Sequence, residues 1–250
     1  MGKTGQKNYL YNPFNFGSTD PMLAREVKHA LNKEGEKART VLQSNVQLTW
    51  EKHWFVPKTV KLAGMMQGGG KPLEAVKKED ILIINGHGGE RRVVLGYHSE
   101  YKSGLPGSEY SSIRMLTASQ LADMIKADGL DDGHKIIKLN SCWGAGGGKG
   151  QNVDSHNSFA AQLAYELGRI GYKKIRVGGY HGELQRVGDE GKKLVIDGKE
   201  KTPASRVDRL WFGPDGLEVT NDPDIDEIKD KKDQARENFE NVNKSYPPFG

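Results

Sequence analysis

Residues 135–150 read KIIKLNSCWGAGGGKG. The opening KIIKLN is a short apolar run of strand length, and it stops at Asn140. Ser141, the chain's single cysteine (Cys142), Trp143 and a glycine stretch closed by Lys149 follow. Cys142 can be a nucleophile offered at a strand end, a small buried hydrophobe, or a bystander next to a phosphate-cradling loop. The phosphate reading fails on counting. A P-loop needs G-x-x-x-x-G-K followed by Ser or Thr. Gly144 and Gly148 are separated by only three residues, and Gly150 occupies the Ser/Thr position. GMMQGGGKP at 64–72 fails as well, because Pro72 follows its lysine. Nucleotide binding is therefore set aside, and residues 144–151 are expected to form a mobile wall beside the thiol.

Outward from this stretch the pattern is regular. DILIING at 80–86 is a compact apolar strand, and RRVVLGY at 91–97 is another, followed by a loop rich in Gly, Ser and Tyr. TASQ at 117–120 is a capping box that opens a helix with Leu121, Met124 and Ile125 on one face. SFAAQLAYELGRI at 158–170 is an amphipathic helix ending near Gly171, and KKIRVGG at 173–179 returns to strand. Strand and helix alternate from 80 to 180, which predicts a parallel sheet with helices packed on it. In such sheets the chemistry collects beyond the carboxyl ends of the strands. The strand at 81–84 runs into Asn85-Gly86-His87-Gly88-Gly89, and the strand at 135–139 runs into Asn140-Ser141-Cys142-Trp143-Gly144. Parallel neighbours would bring His87 and Cys142, 55 positions apart in the chain, to the same edge.

The flanks are less regular. Residues 1–17 are polar, aromatic-spotted and without period, and read as an extended arm. Ser18, Thr19 and Asp20 before Pro21 form a helix start, with Met22, Leu23, Val27, Ala30 and Leu31 on the helix face. A second short helical piece is expected around Val41 and Leu42. VQLTW at 46–50 and WFVPKTV at 54–60 read as strands, the latter an edge strand because of Pro57. KKLVIDGKEK at 192–201 carries an Asp-Gly hairpin signal, and RLWFG at 209–213 adds a strand. The segmentation expected is an N-terminal arm and helix at 1–45, a catalytic α/β domain at 46–220, and a charged tail at 221–250.

Composition narrows the class. The 250 residues are 35% hydrophobic and 28% charged, which suits a soluble globular chain. One cysteine excludes an intramolecular disulfide and fits a reducing compartment. A net charge of +4 with a pI near 8.9 does not demand an anionic partner, so neither a nucleic acid nor a membrane is expected. The sequence has no signal-peptide core and no apolar run near the spanning length. The expected location is the cytoplasm, or outside the cell by a route without a cleavable signal. Oligomeric state is not legible.

A lone cysteine after a strand is by default a packing residue, and a lone histidine usually has a structural partner. Joint placement at adjacent strand ends is what argues for chemistry. A thiol needs a base to become the attacking thiolate, and glycines on both sides leave room for a peptide carbonyl to approach. His181, 39 positions after Cys142, is the competing base. A cysteine that precedes its histidine in such enzymes normally opens a helix, whose dipole lowers the thiol pKa. GAGGGKGQ after Cys142 is a poor helix start, so His87 is preferred. No motif marks a third orienting residue; Asp20 and Asn85 are the positions weighed. His98, His134 and His156 lie in polar stretches and are given no chemical role. The histidines lack metal-ligand spacing such as H-E-x-x-H.

An apolar strand ending in His-Gly and a second ending in x-Cys-x-Gly resemble the clan CD cysteine peptidases, the caspase-like fold. Asn140-Ser141-Cys142-Trp143-Gly144 lacks the Gln-Ala pair of caspases proper. The order of elements over residues 78–200 is more similar to the autoprocessing domains of large bacterial toxins. The resemblance implies an α/β three-layer sandwich with a mostly parallel central sheet flanked by helices, plus a C-terminal β-hairpin. It implies that Cys142 is the nucleophile and His87 the general acid/base. The backbone N–H groups of Gly88 and Cys142 would form the oxyanion hole. It implies a cysteine endopeptidase that acts on a protein or peptide, self-processing or delivered as an effector. A deamidase or acyltransferase on a similar scaffold, or a non-catalytic interaction domain, are the alternatives. No cofactor is required. Lys173, Lys174, Arg176, Arg186, Lys192, Lys193, Lys199 and Lys201 around the last strand and hairpin form a solvated basic rim. The sharper reading, taken from the toxin group, is a pocket for an activating inositol polyphosphate.

Overall fold

The structure, a computed structural model, describes residues 6–14, 21–31, 39–49, 59–62, 70–89, 92–102, 109–146, 157–187, 192–197, 200–204 and 209–219. Fifteen strands and three helices are described, in this order: β1 (Asn8–Asn12), α1 (Pro21–Leu31), β2 (Arg39–Gln43), β3 (Val46–Thr49), β4 (Thr59–Leu62), β5 (Ile81–Asn85), β6 (His87–Gly89), β7 (Arg92–Lys102), β8 (Glu109–Leu116), α2 (Ala118–Ala127), β9 (Ile136–Asn140), α3 (Phe159–Arg169), β10 (Arg176–Gly179), β11 (Glu183–Val187), β12 (Lys192–Asp197), β13 (Glu200–Pro203), β14 (Leu210–Phe212) and β15 (Glu218–Val219). The helix-start residues 18–20, Pro57, the glycines at 147–151, His156 and the tail from 221 lie outside the described residues.

The fold is mixed α/β. Its main sheet has seven strands in the order β15-β14-β10-β9-β5-β1-β2. The five strands from β10 to β2 run parallel, and β14 and β15 close one side antiparallel. Two apolar clusters cover its two faces. Tyr9, Tyr11, Leu82, Ile84, Ile137, Leu139 and Val177 pack with Leu121, Met124 and Ile125 of α2 and with Leu163 and Leu167 of α3. On the other face Leu10, Ile81, Ile83, Ile136 and Trp211 pack with Ala30 and Val27 of α1. This division follows from the two-residue period of a strand, which sends alternate side chains to opposite faces. A strand covered on both faces reads as a continuous apolar run, and ILII of β5 is such a run.

Both helices expected within 80–180 form with the caps written in their sequences. Thr117 Oγ1 accepts from the Gln120 N–H at 3.3 Å, and the Gln120 side chain accepts from the Thr117 N–H at 3.0 Å. The Ser158 hydroxyl accepts from the Ala161 N–H at 3.2 Å to start α3. The hairpin expected near 192–201 is β12–β13, and β11 precedes it in a separate three-stranded sheet.

Four expectations are corrected. The presumed N-terminal arm contains β1, a central strand buried between β2 and β5. Its tyrosines made it look irregular, but each sends its hydroxyl to a partner. Tyr11 donates to Asp128 Oδ2 at 2.7 Å, and Tyr9 to the Ala75 carbonyl at 3.4 Å. Residues 39–43, read as a helical piece, are strand β2. The stretch after residue 97, read as a loop, continues β7 to Lys102 and pairs it with β8. Leu31, assigned to the packed face of α1, is 64% exposed.

Candidate active site

Asn85 of β5 lies directly opposite Asn140 of β9 in the parallel ladder. The register offset between these strands therefore equals the chain separation of His87 and Cys142, and each of them lies two residues beyond the shared row. From there the two chains diverge. β5 passes through Gly86 into β6, where His87 faces Gly96 of β7 across the strands. A Cβ on Gly86 would strike the Leu95 side chain at 2.5 Å, so this turn needs its glycine.

β9 ends in a turn over 142–145 that is pinned from three sides. The Trp143 N–H donates to the Gly182 carbonyl at 2.7 Å, and the Ala145 N–H to the Tyr180 carbonyl at 3.0 Å. The Gly144 carbonyl accepts from the Ala160 N–H at 2.9 Å, which satisfies one of the unpaired donors of the first turn of α3. Gly144, Ala145 and Gly146 are buried, so this part of the expected mobile wall is instead a fixed, hydrogen-bonded turn. Trp143, directly after the cysteine, has φ of 55°, the single non-glycine residue with positive φ among the described residues. Such a conformation is held only where the surroundings over-determine it.

The two loops meet through their backbones. A Cβ on Gly88 would collide with the Cys142 carbonyl oxygen and lie 3.0 Å from its carbonyl carbon. Gly179 makes a similar approach at the end of β10, where a Cβ would lie 2.6 Å from the carbonyl carbon of Gly144. The glycines at 88 and 179 are what allow three strand ends to pack this closely.

Cys142 is half-buried. It packs against the small cluster of Tyr180, Leu184, Val195 and Ala204. Its sulfur receives the Leu184 N–H at 3.3 Å and donates to the Leu184 carbonyl at 3.6 Å. His87 and Gly88 are also half-buried.

His181 comes to the same edge, just beyond β10. Its Nδ1 lies 3.3 Å from the Gly146 carbonyl, so it helps hold the turn that carries Cys142. The third-residue candidates separate: Asp20 is outside the described residues, and Asn85 is buried with its side chain bonded to Asn12 and Asn140. His134 is not in an open polar loop. It is fully enclosed at the opposite edge of the sheet, with Nδ1 3.1 Å from the Lys77 carbonyl and Nε2 2.9 Å from the Ile136 carbonyl. His98 falls on β7.

The basic residues do not share one place. Lys173, Lys174 and Arg176 precede or open β10, and Lys173 donates to the Gly168 carbonyl at 2.8 Å. Arg186, Lys192, Lys193 and Lys201 lie on β11–β13, which follows the other end of β10. Arg209 lies 4.3 Å from the Tyr180 ring, a cation–π contact beside the cysteine cluster that the sequence gave no means of finding. Among the described residues no cluster of three or more His, Cys, Asp or Glu side chains could hold a metal ion, and no helix is long and apolar enough to cross a membrane.

A family model described as a domain of unknown function, DUF8616, matches residues 70–177. The match spans β5 to β10 and includes His87, Gly88 and Cys142. No curated protein matches the chain.

Proposed function

We propose that the protein is a cysteine endopeptidase of caspase-like architecture, with Cys142 as nucleophile and His87 as general acid/base. The observation that carries this reading is the register of β5 and β9. Asn85 pairs with Asn140, so the imidazole-bearing and thiol-bearing residues leave the same row of the sheet on adjacent strands. The tight approach of Gly88 to the Cys142 carbonyl adds to it.

In this reading His87 takes the thiol proton and the thiolate attacks the scissile carbonyl carbon. The negative charge that develops on the carbonyl oxygen is met by the N–H groups of Gly88 and Cys142. Losing one such donor costs on the order of 10²–10³ in rate. The tetrahedral intermediate collapses as His87 returns the proton to the leaving amine. Water, activated by the same imidazole, then releases the acyl group. The substrate is a protein or peptide, or a segment of the chain itself.

One observation favours a second reading. The sulfur is bonded by the Leu184 backbone and packs among apolar side chains, as a structural cysteine does in a non-catalytic interaction domain. Two measurements separate the readings. Iodoacetamide should label Cys142 in the folded chain near neutral pH, and His87→Ala should slow that labelling. A peptide library should be cleaved by the chain and left intact by Cys142→Ala. An inert Cys142 in the folded protein defeats the enzyme reading. Ammonia release without chain scission would replace the peptidase by a deamidase.

A further inference from the structure

The row of the main sheet just before His87 and Cys142 is unusual in composition. Three neighbouring parallel strands, β1, β5 and β9, each end on an asparagine, and the registers place Asn12, Asn85 and Asn140 side by side. Their amides are joined. Asn85 Nδ2 donates to Asn12 Oδ1 at 3.2 Å, and Asn140 Nδ2 donates to Asn85 Oδ1 at 2.8 Å. Asn140 Nδ2 also donates to Glu26 Oε2 of α1 at 3.0 Å. Glu26 is buried, 7% exposed, on the helix that covers this face.

Hydrogen-bond valence gives this chain a direction. A carboxylate only accepts, so the group that Asn140 turns toward Glu26 must be its NH₂. The second hydrogen of that NH₂ reaches the Asn85 oxygen, which leaves the Asn85 NH₂ to meet the Asn12 oxygen. One buried charge on α1 thereby fixes the orientation of two, and through them three, amides that are otherwise free to flip. The Gly86 N–H also reaches the Asn140 carbonyl at 3.5 Å, joining the two strands one residue further on. Neither apolar packing nor backbone pairing needs a buried carboxylate here, and burying one is costly unless it is paired.

We propose that Glu26 is a positioning residue for the thiol–imidazole pair, acting through the Asn140 and Asn85 amides to hold the two strand ends at the spacing the dyad needs. The inference rests on the His87–Cys142 reading above. Glu26 reaches the two reacting residues through Asn140. It acts on the row from which both depart, two residues before each. The same bonds tie α1, which lies outside the matched family region, to the site.

The test is a double-mutant cycle read by iodoacetamide labelling of Cys142 in the folded chain, with peptide cleavage as the second readout. Glu26→Ala is expected to slow labelling and lower kcat on the order of 10–100-fold, with KM little changed. Glu26→Gln still offers an oxygen to the Asn140 NH₂ but, carrying a donor as well, no longer forces the direction of the row, and is expected to restore only part of the rate. In the His87→Ala background, Glu26→Ala should have no further effect, because the pair it positions is already broken. Equal slowing in both backgrounds would overturn the proposal by showing a merely structural role. Asn140→Ala breaks the same bond from its other end and is run beside it, so an unfolded Glu26→Ala does not end the test. Failure of the peptidase reading looks different: the wild-type chain cleaves nothing, while labelling still reports whether Glu26 and His87 act as one unit.

Discussion

At the scale of single residues, the site depends on atoms that are absent as much as on those present. A methyl group at position 88 meets the carbonyl of the proposed nucleophile's own residue, and the backbones must part to admit it. Gly88→Ala is therefore expected to lose about 1–3 kcal/mol of stability, the usual cost of overpacking, and to slow labelling of Cys142. Gly70→Ala is the matched control, since nothing lies within 4 Å of a Cβ there. Thermal unfolding with iodoacetamide labelling reads both effects, and a Gly88→Ala chain that behaves like Gly70→Ala removes the close approach from the account. In the sequence Gly88 and Cys142 stand in two separate strand-end motifs. It does not show that Cys142 Sγ meets the Leu184 backbone, because that contact joins a turn residue to a strand residue 42 positions further on.

At the scale of elements, the legible parts are those whose signal is local. The capping box of α2, the Ser158 cap of α3 and the apolar runs of β5 and β9 depend on residues within a few positions of one another. β1 was illegible because its burial depends on distant partners. Tyr11 is fully buried, and Asp128, at the end of α2, accepts its hydroxyl. Tyr11→Phe leaves that carboxylate without one of its donors and is expected to cost about 1–3 kcal/mol in urea unfolding; a neutral result would show that the bond contributes nothing net. The start of β9 carries a pH dependence. Burial holds the His134 pKa below the usual histidine value, against the opposing pull of the Ile136 and Lys77 carbonyls and of Asp80 and Asp131. The unfolded chain takes a proton there near pH 6.5, and the folded chain only at lower pH. Between the two the unfolded state binds more protons, so stability is full above the upper value and falls as pH is lowered through the window. His134→Gln does not titrate, and its urea midpoint should fall less than that of the parent between about pH 7.5 and about pH 5.5. An unchanged difference between the two pH values would exclude His134 as the source.

At the scale of the whole molecule, the sheet is assembled from both ends of the described chain. β1 lies between β2 and β5, and β14 closes the far side against β10. A fragment of residues 46–220 omits β1, α1 and β2. It would leave β5 with an unpaired edge and strip the α1 face from Ile81, Ile83 and Ile136. That fragment is expected to lack a cooperative unfolding transition and to bind a hydrophobic dye; a cooperative fold would show that the N-terminal segment is dispensable to the core. The sequence by itself determined the α/β alternation over 80–180, the helix caps and the hairpin, because periodicity, capping and turn signals are written in neighbouring residues. Only the tertiary structure decided that Asn8–Asn12 form a central strand, that residues 39–43 are strand rather than helix, and that the cysteine turn is fixed. It alone aligned Asn12, Asn85, Asn140 and Glu26 in one hydrogen-bonded row. Each of these rests on contacts between distant segments, and strand pairing and buried polar bonds set them where local propensity is silent.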